Sequence, residues 1–350
     1  MNLSINLNTK NYNIIIKEGL SDNLPNHLRK FNNGQRFILC YSSNLSNYVP
    51  IIISELKMQK FDVVELEIKD GEKYKSIDYV QILAQSLMEL NCKRDSILLA
   101  LGGGTVGDII GFLSSIFMRG IKYINLPTTL LSMVDSSLGG KTAVNFNMTK
   151  NVLGTFHQPE LVYIDPTFLK TLSKKHIYSG IGEIVKYGLI SNRKILDQLI
   201  NNYDCIVQLK NFELIKEIIY QSCLVKKLFI EKDELDNGFR NILNFGHTLG
   251  HIIESKYQHK KITHGESILI GMYLSLKLSK QKKIMSEKIY NSILDIFKKF
   301  NINKNYKIDS SDLEKINFDK KANNHRLRFI LLENFGCPNI CDDITKDDIK

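Results

Sequence analysis

The chain has 350 residues, 43% hydrophobic and 24% charged, a balance that suits a soluble globular protein too long for one compact core, so two domains are expected. Its formal net charge of +10 rests on lysines scattered among acids, as in KDELDNGFR, and not gathered with aromatics on one stripe, which argues against a nucleic-acid surface. Six cysteines without a dense framework fit free thiols in a reducing cytosol, and the opening MNLSINLNTK lacks the basic-then-apolar pattern of a signal peptide.

Short β-branched runs predict strands at YNIIIK (12–17), RFILCYS (36–42), FDVVELEI (61–68), SILLAL (96–101), IKYINLP (121–127) and LVYID (161–165), with helical patterns between them. That alternation predicts an α/β domain with a mostly parallel sheet. The segment SILLALGGGTVGDIIGFLSSIF (96–117) is apolar enough to imitate a membrane span, but Asp108 and the central glycines favour a buried strand, a tight turn and a buried helix. After DPTFLKTL the pattern lengthens to 3.6-residue periodicity. Residues 1–172 are therefore expected to form the α/β domain and residues 173–350 an all-α domain, with a late strand at LRFILL (327–332).

ALGGGTVGD follows a predicted strand and opens a helix, where backbone N–H groups and the helix N-terminus favour a phosphate. It is not the G-x-G-x-x-G fingerprint, and a purely structural turn is the plain alternative. DGEKYKS (70–76), after the preceding strand, adds acidic and hydrogen-bonding groups for a ribose. Together they read as a dinucleotide site across the carboxyl ends of the strands, as in a Rossmann-like domain. PTTLLSMVDSSLGGKTAVN (127–145), read as a polar segment between strand and helix, brings Asp135 and Lys141 together, at the least as a salt bridge. Lys141, Lys150 and Asn151 add ammonium and amide donors suited to a small phosphorylated substrate.

In the second half, SGIGEIVKYGL (179–189) sets Glu183 and Lys186 three apart on one helix face. LNFGHTLGH (243–251) reads as one helix face carrying His247 and His251 four apart, and THGES (263–267) adds His264. A carboxylate with two or three imidazoles is a usual zinc set that leaves a position open for substrate. Each histidine alone would more simply be a satisfied core residue. By spacing alone, His247 and His251 are the ligand pair.

The ordered series DGEKYKS, GGGTVGD, MRGI, LPTTLLSMVDSSLGGKTAVN, KNVLGTFHQP, SGIGEIVKYG, LNFGHTLGH, HGES and DKK, from about residue 70 to 335, closely resembles the 3-dehydroquinate synthase family. The resemblance implies a Rossmann-like NAD-binding α/β domain and a C-terminal helical metal-binding domain, with the active site in the cleft between them. It implies cleavage of phosphate from 3-deoxy-D-arabino-heptulosonate 7-phosphate to give 3-dehydroquinate, with catalytic NAD and one divalent metal, Zn or Co, in a cytoplasmic homodimer without nucleic-acid or membrane partners.

By motif position, the resemblance makes Glu183, His247 and His264 the metal ligands and moves His251 to the substrate. Asp70, Gly71, Glu72, Lys73, Tyr74, Lys75, Gly104, Thr105, Val106, Gly107, Asp108, Thr128, Thr129, Lys141, Lys150, Phe168, Leu169, Lys170 and Thr171 fall in the NAD-holding segments. Asp135, Lys141, Asn151, Lys186, Lys226, Arg240, Asn244, His251 and a lysine of DKK (Lys320 or Lys321, the latter preferred) match substrate positions. Lys226 is preferred to Lys227 by its distance to Asp233 and Glu234. Arg119 matches an arginine that reaches a neighbouring subunit's site.

Two departures stand out. NMT (147–149) replaces a Pro-Leu-Gly-like turn beside Lys150, and Gly182 replaces a common alanine, which loosens the helix next to Glu183. Three rival readings make distinct demands. A sister sugar-phosphate cyclase has less use for an arginine at 240 suited to a carboxylate. A polyol dehydrogenase has less use for the cluster of Lys141, Asn151, Lys226 and Arg240, and a nucleic-acid binder leaves the histidine motifs unused.

Overall fold

The computed structural model describes residues 1–147, 149–257, 262–300, 302, 306, 308, 309, 312 and 327–349. The chain divides into two compact units, Met1–Leu172 and Ser173–Lys350.

The first unit is α/β. Its strands are β1 (Asn2–Ile5), β2 (Tyr12–Ile16), β3 (Arg36–Ser42), β4 (Asp62–Ile68), β5 (Ile97–Gly102), β6 (Lys122–Pro127), β7 (Lys141–Phe146), β8 (Thr149–Phe156) and β9 (Leu161–Ile164). Seven of them form one sheet in the order β1-β2-β9-β6-β5-β3-β4, in which only the β1/β2 pair is antiparallel. Helices α1 (Leu20–Leu28), α2 (Val49–Met58), α3 (Ile77–Glu89) and α4 (Gly104–Ile116) connect the strands.

The centre of the sheet explains its legibility in sequence. Every residue of β5 is buried, as a strand covered by helices on both faces must be. Leu98 and Ala100 pack with Ile38, Cys40, Ile109, Ile110 and Leu113 in one cluster. Burial stabilises such side chains by about 1.5–3 kcal/mol each. The run 96–117 is β5, a glycine turn and α4, and among the described residues no helix is long and apolar enough to cross a membrane.

All six predicted strands of this unit are present within about a residue of their expected ends. The segment 127–145 departs from expectation. It does not lead from a strand into a helix; it makes a π-helical turn at Ser132–Ser136 and then enters β7, which pairs with β8 as an antiparallel hairpin. Gly111 of α4 makes room for that packing, because a Cβ there would lie 2.4 Å from Thr142 Cγ2 of β7.

The second unit is mainly helical, with α5 (Lys174–Ile190), α6 (Arg193–Asn201), α7 (Tyr203–Val207), α8 (Phe212–Lys232), α9 (His247–Lys256), α10 (His264–Gln281) and α11 (Glu287–Phe297). The late strand runs from Leu327 to Asn334 as β10 and pairs antiparallel with β11 (Cys337–Ile344). Helix α10 is central and packs against α5, α9, α11 and β10. Glycines let its neighbours approach: a Cβ at Gly265 would lie 2.0 Å from the Ser179 carbonyl of α5, and one at Gly271 2.0 Å from the Gly246 carbonyl before α9.

Candidate active site

In the first unit, the loops after β4, β5, β6 and β9 all leave the carboxyl ends of parallel strands, and they carry most of the predicted cofactor residues. The chain runs from β3 outward to β4, then returns to β5 on the other side of β3. The β3/β5 edge is therefore the topological switch point, where such sheets offer a crevice to ligands.

The turn Gly102–Gly103 leads into α4 at Gly104. A Cβ at Gly103 would lie 3.0 Å from Thr129 Cγ2, and one at Gly104 2.8 Å from Ser136 Oγ, so the turn is packed closely against the loop after β6. Free N–H groups of the first helical turn provide an anion cradle there. Val106 and Gly107 face the core, whereas Thr105 and Asp108 are half-buried. Asp70 is anchored by Ser42 Oγ (2.6 Å), Ser43 Oγ (3.0 Å) and Asn44 N (3.1 Å), all donating to its Oδ2. Gly71 takes φ +111°, a conformation open to glycine, and starts the turn Glu72–Tyr74.

Lys75 links three segments. Its ammonium, on a residue 5% exposed, donates to Asp108 Oδ2 at 2.6 Å and to Asn151 Oδ1 at 2.5 Å. Asn145 donates to Glu72 Oε1 (2.8 Å) and accepts from Asn151 N (3.0 Å), which ties the β7–β8 hairpin to the loop after β4. Sequence reasoning placed Lys75 with cofactor and Asn151 with substrate; here they bond to each other. Lys141 and Lys150 are exposed on the hairpin, Asp135 is half-buried in the π-helical turn, and Thr128 is buried. Phe168 and Leu169 are also buried, Phe168 against Tyr48 at 5.1 Å between ring centres, while Lys170 and Thr171 are exposed. Tyr74 lies against Tyr79 with Lys73 over its ring, and Arg119 is exposed with φ +66°.

The second unit gathers Glu183, His247 and His264, each offering one donor atom, within 4.8 Å of one another. Glu183, in the middle of α5, is completely buried. His247 is the first residue of α9, after Gly246 at φ +77°, and His264 is the first of α10, behind a Thr263–Glu266 capping box. His247 Nε2 lies 3.4 Å and His264 Nε2 3.3 Å from the same oxygen, Glu183 Oε1. The Nδ1 atoms turn away, to the Phe245 carbonyl at 3.2 Å and to Glu254 Oε2 at 3.4 Å.

The electrostatics suit a cation. Burial opposes charge on Glu183, but the Lys186 ammonium on its Oε2, with His247 and His264, outweighs it and holds the carboxyl well below the usual range. Burial lowers the pKa of His247 despite Glu183, which favours the neutral imidazole that a metal needs. Burial also opposes charge on His264, yet hydrogen bonds to Glu183 and Glu254 push it up to about 9. The Lys186 ammonium sits on Glu183 Oε2, so the other oxygen, Oε1, on which both Nε2 atoms converge, is the one aimed at an ion. A carboxylate and two convergent imidazoles fit one divalent ion.

His251 is exposed, one turn beyond His247, with ring centres 5.3 Å apart. It is absent from the Glu183 group but lies near Glu254 and His264. Lys226 is 6% exposed on α8, whereas Lys227 pairs with Glu231 at 3.6 Å. Arg240, 3% exposed, donates to the Glu234 carbonyl at 2.8 Å. Asn244 corrects the single-face reading of LNFGHTLGH, since it ends a separate 3-10 turn (Phe239–Asn244) and Gly246 breaks the chain before α9 begins. Lys320 and Lys321 lie outside the described residues. Sequence reasoning missed Ser42, Ser43, Asn145 and Glu254. Ser42 ends a predicted strand at the switch point and Ser43 follows it, a signal that was present, whereas only the folded ring orientation of His264 reveals Glu254.

The sequence profile described as "3-dehydroquinate synthase N-terminal" matches residues 65–179, and that described as "3-dehydroquinate synthase C-terminal" matches residues 180–322. A 3-dehydroquinate synthase of Clostridium tetani (strain Massachusetts / E88) is 41% identical over 91% of this chain and 84% of its own length. Another, from Clostridium botulinum (strain Alaska E43 / Type E3), is 39% identical over 95% of each. Among solved structures, a 2-deoxy-scyllo-inosose synthase complexed with carbaglucose-6-phosphate, NAD+ and Co2+ superposes with a TM-score of 0.89 at 24% identity, covering 100% of this chain and 98% of that one. The fold is thus that of sugar-phosphate cyclases, and the two matched halves together with these full-length relatives show that the chain belongs to the 3-dehydroquinate synthase family.

Proposed function

We propose that the chain converts 3-deoxy-D-arabino-heptulosonate 7-phosphate to 3-dehydroquinate and phosphate, the second step of the shikimate pathway. The overall course is transient oxidation, phosphate elimination, reduction, ring opening and intramolecular aldol closure, with no net redox change. The observation that carries the reading is the convergence of His247 and His264 on Glu183 Oε1, in a chain matched by both halves of the family.

NAD, when bound, supplies a reversible hydride acceptor, and one divalent ion, Zn or Co, supplies Lewis acidity that eases deprotonation of a substrate hydroxyl. Glu183, His247 and His264 would hold the ion, and the first unit the dinucleotide, with its phosphates at the N-terminus of α4 and Asp70 toward a ribose. Asp70 Oδ1 takes no hydrogen bond from the described residues and is the oxygen left for that role.

Lys141, Asn151, Lys226 and Arg240 would meet a doubly anionic substrate with charged and amide donors, worth about 1.5–3 kcal/mol for each hydrogen bond to a charged group. Asp135, Lys186 and Asn244 would orient it. His251, exposed beside the ion ligands, is placed to hold or move a substrate proton. Lys186 has a second duty here, keeping Glu183 ionised.

The reading includes a cytoplasmic homodimer. Ile116 and Met118, each 46% exposed beside Arg119, and Phe146, Val152 and Phe156 on the hairpin supply apolar surface for a second copy. The activity test incubates purified protein with the heptulosonate phosphate, NAD and Zn2+ or Co2+, and follows phosphate and NADH together. Phosphate release without NADH accumulation supports the reading; stoichiometric NADH replaces it with a dehydrogenase.

A further inference from the structure

We infer that Glu254 is a positioning residue for the ion site: it accepts a hydrogen bond from His264 Nδ1–H and thereby fixes the tautomer that presents Nε2 to the metal. The inference rests on the ion-binding reading of Glu183, His247 and His264, and its test separates the two.

The geometry is specific to the ring's two nitrogens. His264 stands between two carboxylates, with Nε2 3.3 Å from Glu183 Oε1 and Nδ1 3.4 Å from Glu254 Oε2. His247 is arranged in the same sense, with Nε2 3.4 Å from Glu183 Oε1 and Nδ1 3.2 Å from the Phe245 carbonyl. Both imidazoles thus offer Nε2 to one point and turn Nδ1 to an oxygen. One of those oxygens belongs to the backbone and is supplied by the fold itself. The other is a side chain, 7% exposed, that the chain has to bury deliberately.

Burying a carboxylate is unfavourable unless it is hydrogen-bonded or paired. Glu254 sits on α9 seven residues after His247, hence on the same helix face two turns along. It is in reach of α10 at its first residue, where the capping box sets the backbone of His264. Helix α9 would therefore supply one ligand from its first turn and the support for another from its third. Neutral imidazole has two tautomers, and only the one protonated on Nδ1 leaves the Nε2 lone pair for a cation. A carboxylate beside Nδ1 selects that tautomer, holds the ring plane and raises the donor strength of Nε2.

The alternative is that Glu254 is itself a ligand, since His251, Glu254 and His264 also form a group with donors within 4.8 Å. Stoichiometry distinguishes them. The full-length protein is stripped with chelator and titrated with Co2+ alone, following the d–d absorption, for wild type, Glu254→Gln, Glu254→Ala and His247→Ala. One Co2+ per chain is expected for wild type.

Loss of a supporting hydrogen bond typically weakens metal affinity by about 10–100-fold. Glu254→Gln keeps the shape and a neutral acceptor, so the lower end is expected; Glu254→Ala should reach the upper end. Turnover at limiting Co2+ should fall in step and recover with excess Co2+. In zinc-loaded wild type, nitrogen-detected NMR should show His264 protonated at Nδ1. Glu254→Gln preserves side-chain volume, so it remains informative if Glu254→Ala does not fold. Unchanged affinity in Glu254→Gln with His247→Ala metal-free would overturn this inference alone. A second Co2+ lost with Glu254 would also overturn it, by making Glu254 a ligand. No Co2+ binding by wild type would instead overturn the ion-site reading itself.

Discussion

His247 Nε2 lies 3.4 Å from Glu183 Oε1, although the two residues stand on different helices. His251, on the same helix as His247, lies outside that group. His247→Ala removes one of three donors and is expected to lower metal affinity by more than the roughly 100-fold upper range seen for supporting groups. His251→Ala is expected to retain metal and lose about 10²–10⁴-fold in turnover, the scale of a positioned acid–base group. Elemental analysis beside the phosphate assay checks both, and equal metal loss in the two variants would return the pair to joint ligands.

Metal binding should be linked to one proton. In the metal-free protein His264 is pushed up to about 9 by Glu183 and Glu254 against the opposing effect of burial, so it is charged at neutral pH. A cation takes Nε2 only after that proton leaves. Affinity should therefore rise about tenfold per pH unit until about pH 9. The stability term runs the other way. A raised folded pKa stabilises fully below the unfolded value of 6.5 and is lost as pH climbs through about 9. The gain in melting temperature on adding Zn2+ should thus be larger at pH 8 than at pH 6. Calorimetry in buffers of different ionisation enthalpy counts the proton directly; no proton release at pH 7 would contradict the assignment.

The central strands were legible because a parallel strand covered on both faces needs an uninterrupted apolar run, as in Ile97–Gly102. Strand β1 was hidden by its length, four residues among asparagines, and the β7–β8 hairpin by its polarity and exposure. Such elements are specified by cross-strand partners such as Lys141 and Phe156, which no local pattern shows. The histidine spacing was equally silent about roles, because His247 and His251 share a helix face and differ only in their distance from a carboxylate on another helix. Glu254 has no motif at all.

Gly182 is tighter than its sequence context suggests. Alanine there should gain about 1 kcal/mol in helix propensity. Yet its Cβ would lie 2.5 Å from the Gly265 carbonyl oxygen and 2.7 Å from Gly265 Cα, both backbone atoms at the start of α10. Overpacking of this kind typically costs about 1–3 kcal/mol. Gly182→Ala is expected to destabilise on balance and, by shifting the helix that carries Glu183 against the helix that carries His264, to weaken metal binding. Gly265→Ala, whose Cβ would meet the Ser179 carbonyl at 2.0 Å, should be worse on both measures. Thermal melts with and without Zn2+ rank the two, and a stabilised Gly182→Ala would refute the packing argument.

Lys75 joins the loop after β4, the first turns of α4 and the β7–β8 hairpin through Asp108 and Asn151. Its side chain is 6% exposed but that of Asp108 is 21%, so water screens part of the loss when the ammonium is removed. Breaking a fully buried pair costs about 3–5 kcal/mol, and partial exposure brings the expectation for Lys75→Met down to about 1–3 kcal/mol. The hairpin depends on this link more than the sheet does, because its own ladder has two strands and one exposed face. Hydrogen exchange in Lys75→Met should therefore quicken at Asn145 and Asn151 while the amides of β5 keep their protection. NAD affinity should weaken with it, since Asp108 and the loop from Asp70 to Lys75 lose a common tether. An unchanged exchange rate in the hairpin would show that its contacts with α4, among them Thr155 Oγ1 donating to Ser115 Oγ at 2.8 Å, suffice to hold it.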